Sequence, residues 1–88
     1  MNNVKIVRDI LAENFMFRPI KEVEQIIDVV FKGCESERSP VLMRDDVLQV
    51  LGVDKYNKYY RSVPSIVRIL QTAYYQEVAT ELQKTKLN

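Results

Sequence analysis

Eighty-eight residues, 47% hydrophobic and 28% charged, suit a globular chain and not a disordered one. Thirteen basic side chains against twelve acidic ones leave a net charge of +1, far from the strongly basic balance usual in a dedicated nucleic-acid binder. One cysteine excludes an internal disulfide, and no apolar run approaches the roughly 20 residues that span a bilayer.

With two glycines and three prolines there is little turn material for an all-β fold. Residues 1–88 are therefore expected to form a single all-α domain, a compact bundle of four to five helices with a long C-terminal helix. The start, Met1-Asn2-Asn3-Val4-Lys5, has neither the apolar core nor the small-residue cleavage site of a signal peptide. The expected location is cytoplasmic.

In chain order, Val4, Val7, Ile10 and Leu11 recur at three- and four-residue steps and predict a helix over 4–14 capped by Asn3. Phe15, Met16 and Phe17 break that period and read as an apolar connection packed on the core. Pro19 suits the first position of a second helix, where its missing N–H would be unpaired anyway. Val23, Ile26, Ile27, Val30 and Phe31 form its stripe, with Ile27 at the centre, and Gly33 is the expected stop. Residues 35–40 read as a polar loop and Val41-Leu42-Met43 as an extended entry. A short helix over 44–51 follows, with Asp45 and Asp46 in its first turn and Gly52 at its end. Residues 54–61 read as a turn and a short helix. Ser62 then caps a final helix from Val63 to about Lys84, with fraying expected from Thr85 to Asn88. Val63, Ile66, Val67, Leu70, Ala73, Tyr74, Val78 and Leu82 are assigned to one face of it.

The chemistry available is narrow. There is no histidine, which removes the commonest general base and metal ligand. A lone cysteine can build neither a Cys–His pair nor a structural zinc site, and two separate glycines make no phosphate-cradling loop. The acid pairs Asp45/Asp46 and Glu22/Glu24 are adjacent or alternate on helices and do not converge. No enzyme activity, metal or cofactor is expected. Cys34 continues the stripe of the second helix and reads as a buried, inert thiol.

The stretch Leu42-Met43-Arg44-Asp45-Asp46-Val47-Leu48-Gln49-Val50-Leu51-Gly52-Val53-Asp54-Lys55 resembles the first half of a helix-turn-helix unit of excisionase-like and other small bacterial regulators. In such units a leucine precedes the first helix, apolar residues fill its inner face, and a Leu-Gly-Val step makes the turn. The sequence departs from the pattern at Leu48, where a small residue is usual, and at Lys58, where the recognition helix carries an apolar anchor. The resemblance covers some 20 of the 88 residues and implies a DNA-binding regulator.

Charge distribution bears on the same segment. Residues 1–54 hold seven basic and ten acidic side chains, a balance of −3, whereas residues 55–88 hold six and two, a balance of +4. Lys55, Lys58, Arg61 and Arg68 fall in a stretch without acids, interleaved with Tyr56, Asn57, Tyr59 and Tyr60. Such a mixture can contact phosphates and base edges, and it equally suits a protein interface. The expected binding residues are Lys55, Tyr56, Asn57, Lys58, Tyr59, Arg61 and Arg68. Ile69 and Tyr75 widen the apolar face of the final helix, so self-association is expected unless the first two helices cover that face. The leading reading is a non-enzymatic DNA-binding regulator acting as a homodimer on double-stranded DNA. The rival is an adaptor or inhibitor that binds another protein through the Tyr/Lys/Arg patch or the C-terminal helix.

Overall fold

In the computed structural model, which describes residues 3–13, 17–52 and 62–87, the chain is all-helical among the described residues. Four helices follow in order: α1 (Asn3–Glu13), α2 (Ile20–Glu35), α3 (Pro40–Leu51) and α4 (Val63–Leu87). The α2 helix packs on all three others, and α4 packs on α1 and α3 as well. Val7 and Leu11 of α1, Val23, Ile26 and Val30 of α2, Met43, Val47 and Leu51 of α3, and Val63, Ile66, Val67 and Leu70 of α4 form one contiguous core. No described helix is long and apolar enough to cross a membrane.

Several helix ends differ from expectation, each for a local reason. Asn3 is the first residue of α1 and not its cap. Pro19 stands just before α2 in an extended conformation, and its carbonyl accepts bonds from the Glu22 and Val23 amides at 3.0 and 3.2 Å. Gly33 does not stop α2, which runs on to Glu35. The stop is a Schellman motif: the Arg38 amide donates to the Gly33 carbonyl at 2.7 Å and the Glu37 amide to the Cys34 carbonyl at 3.1 Å, with Glu37 left-handed at φ 57°. Gly33 has a different use. A Cβ there would fall 2.5 Å from Met43 Sδ, so the missing side chain lets α3 close on α2.

The third helix begins at Pro40, four residues before the expected start, because proline is pre-shaped for the first helical position. Val41-Leu42-Met43 is thus helical, not an extended entry, and Asp45 and Asp46 lie in the second turn. Gly52 ends α3 as expected, in the left-handed conformation at φ 70°. In the α1–α2 connection Phe17 is exposed and not packed on the core, while Phe15 and Met16 lie outside the described residues. The inward place there is taken by Arg18.

On α2 the buried line is Val23, Ile26, Val30 and Cys34, whereas Ile27 and Phe31 are half-buried on its flank. Cys34 is buried, as the sequence suggested, by continuing from Val30. The largest departure concerns α4, which runs to Leu87 instead of fraying after Lys84. Its 25 residues span about 37 Å against about 24 Å for the 16-residue α2. The distal half therefore overhangs the bundle, and residues 75–84 are all exposed. The overhang stretches the molecule to 48 × 24 × 19 Å, and its radius of gyration, 13.8 Å, exceeds the about 12 Å usual for this length.

Candidate binding surface

The segment singled out by composition, residues 55–61, joins the end of α3 to the start of α4. Lys55, Tyr56, Asn57, Lys58, Tyr59, Tyr60 and Arg61 lie outside the described residues, as does the short helix expected there. What the structure describes is how its two ends are held. On the α3 side, Gly52 turns the chain without cost because it has no Cβ to clash in the left-handed conformation. The last carbonyls of a helix lack internal partners, and Arg18 fills that need: its Nη2 donates to the Leu51 carbonyl at 2.6 Å. Arg18 Nη1 also reaches Glu22 Oε2 at 3.5 Å, which steadies the guanidinium over the helix end. On the α4 side Ser62 is buried and Val63 enters the core directly. Nine residues, Val53 to Arg61, thus connect two fixed points.

Arg68 is the one expected binding residue that the structure describes, and it is exposed on α4. Beside it a groove of about 230 Å3 runs between the start of α1 and α4, lined by Asn3, Ile6, Ile69, Thr72, Ala73 and Gln76. The Thr72 hydroxyl is turned back to the Arg68 carbonyl at 3.0 Å, so the polar side chains left at the groove are Arg68, Asn3 and Gln76.

A larger groove, about 730 Å3, lies between α2 and α3. Its charges neutralise one another. Arg38 grips Asp46 through two bonds, Nε to Oδ2 at 2.6 Å and Nη2 to Oδ1 at 3.1 Å, and Lys32 pairs with Asp28 at 3.0 Å. The hydrogen bonds and charge of Asp46 raise the Arg38 pKa above its ordinary value. Paired, solvated charges of this kind are screened by water and salt and add little to stability. No group of three or more metal-ligating side chains converges among the described residues.

The sequence marked a widened apolar face on α4 but assigned Val78 and Leu82 to its buried side, and the structure places them elsewhere. At roughly 100° per residue, Val63, Ile66, Val67, Leu70, Ala73 and Tyr74 share one arc of roughly 120°. Tyr75, Val78 and Leu82 occupy a second arc centred roughly 110° away, and Glu77, Glu81 and Lys84 continue the first. Val78 and Leu82 are thus not on the buried face to which their spacing assigned them: they are 38% and 59% exposed, and Tyr75 56%. Arg68, two turns before Tyr75, stands at the near end of this second face. At its root the rings of Phe31, Tyr74 and Tyr75 meet edge to face, with centroids 5.6 and 5.2 Å apart, so the exposed Tyr75 is braced from the core. Cys34 lies in the same cluster; burial pushes its thiol pKa up, and a hydrogen bond with Tyr75 pulls it part of the way back.

Comparison with family models, with curated proteins and with solved structures finds no match to this chain.

Proposed function

We propose that this chain is a non-enzymatic binding protein, a regulator of the helix-turn-helix type that works as a homodimer and contacts double-stranded DNA through Lys55, Tyr56, Asn57, Lys58, Tyr59, Arg61 and Arg68. The observation that carries the reading is Gly52. A helix with a buried apolar face ends there in a left-handed residue, the conformation a helix-turn-helix step needs, and the basic, aromatic segment follows at once. Arg18 on the Leu51 carbonyl adds a fixed base from which that segment departs.

DNA contact in this reading must rest on residues 55–68 alone. Residues 20–51, which form α2, α3 and their connection, hold four basic and seven acidic side chains and would repel phosphate. The changes Lys55→Ala, Lys58→Ala and Arg61→Ala made together should nearly abolish binding to a generic duplex while the helical circular-dichroism spectrum stays the same. Undiminished duplex binding by this variant would sink the assignment of the segment.

A second reading, an adaptor or inhibitor of another protein, draws on α3. Because that helix starts at Pro40, Leu42 sits inside its first turn and not ahead of it, and Val41 and Leu42 are both exposed. An aliphatic pair displayed beside the acidic α2–α3 side suits a protein surface better than a phosphate backbone. Loss of a co-purifying protein from the same triple variant, without any duplex binding by the wild type, would select this reading.

A further inference from the structure

The second face of α4 points away from its own core. Tyr75, Val78 and Leu82 follow the three- and four-residue spacing of a helix–helix seam, and the described helices leave all three exposed. We propose that the face is covered by a second copy of the chain, in an antiparallel α4–α4 pair about a two-fold axis beside Val78 and Ala79. This rests on the homodimer in the proposed function and gives it a contact, whatever macromolecule the basic segment binds.

The face is self-matching in that arrangement. Each Tyr75 meets Leu82 of the other copy, and the smaller Val78 and Ala79 lie at the crossing, where two helix axes come closest. A parallel pair would stack Tyr75 on Tyr75 and set the two Arg68 side chains side by side, whereas the antiparallel pair holds those like charges at opposite ends. Area sets the strength. With the axis beside Val78 and Ala79 the two helices overlap over residues 71–86 of α4, about 22 Å, and burying that length against its copy removes on the order of 1,000 Å2 in total, the floor for a specific interface. The pair is accordingly a weak, reversible dimer in the micromolar range, not an obligate one.

Sedimentation equilibrium of the full chain should show the average mass climbing from monomer towards dimer as concentration rises through that range. The double change Val78→Ser with Leu82→Ser touches only exposed side chains. It should keep the melting temperature and weaken dimerisation at least about tenfold. Orientation is read by oxidative cross-linking, with the wild type and its buried Cys34 as control: Ala79→Cys should link copies, while Gln71→Cys should not. A wild type that stays monomeric, a double-serine variant that still dimerises, or cross-linking at Gln71→Cys overturns the inference. The two proposals fail separately, since a monomer that binds duplex DNA refutes only the dimer, and a dimer that binds none refutes only the DNA reading.

Discussion

Glu37 and Gly52 share a left-handed backbone, φ 57° and φ 70°, at the ends of α2 and α3. A Cβ makes that conformation cost roughly 1–2 kcal/mol, partly offset in the other direction by the extra freedom glycine has when unfolded. Opposite outcomes are expected from exchanging the two solutions. Glu37→Gly should raise stability by about 0.5–1 kcal/mol, and Gly52→Ala should lower it by about 1 kcal/mol even though no atom lies within 4 Å of the added methyl. Urea unfolding midpoints that move the same way for both would refute this use of the backbone. Cys34 gives a second test. Its thiol pKa is raised above the ordinary value, chiefly by burial, so the folded state holds the proton more tightly than the unfolded one. The stability from this group is intact below about pH 9 and is lost as pH rises further, with the raised pKa of Tyr74 adding to the loss at higher pH. The thiol should resist alkylation at neutral pH and react once urea unfolds the chain.

At the scale of the helix, the three residues Val67, Ile27 and Val78 rank the faces. Val67 is fully enclosed, Ile27 is half-buried and Val78 is exposed. Alanine should cost about 2 kcal/mol at Val67, about 1 at Ile27, and within about 0.5 of nothing at Val78. Equal losses at all three would mean that α4 is packed along its whole length. The α2 helix was legible in the sequence because its apolar residues repeat at one period and its flanks are polar. Its end was not, since glycine signals both a stop and a close approach, and only the position of Met43 separates the two at Gly33. The α4 helix was legible in its start at Val63 and in being the longest, but not in its last turn or its orientation. Two apolar faces following one another on one helix merge into a single broad stripe unless the phase is tracked past Tyr74. Arg18 gave no signal, because a cation that caps a helix 33 residues away looks like any surface arginine. The 55–61 segment was legible only as composition, a basic and aromatic run after a left-handed glycine.

The whole molecule is a short bundle with a rod attached. The core of α1, α2, α3 and the first half of α4 fixes both ends of the nine-residue segment from Val53 to Arg61, and the rest of α4 carries an apolar face beyond it. These two features divide the work in the proposed account: the segment contacts DNA, and the rod joins two copies. The near-neutral net charge makes the account easy to expose, because with +1 overall there is no general attraction to phosphate to disguise the absence of a local site. The most direct measurement is a fluorescence-anisotropy titration of a generic duplex with the wild-type chain at salt concentrations rising from about 50 to 300 mM. Lys55, Lys58, Arg61 and Arg68 predict that log Kobs falls linearly with log salt with a slope between about −2.5 and −3.5 per protomer. No binding at the lowest salt, or an affinity indifferent to salt, would contradict it.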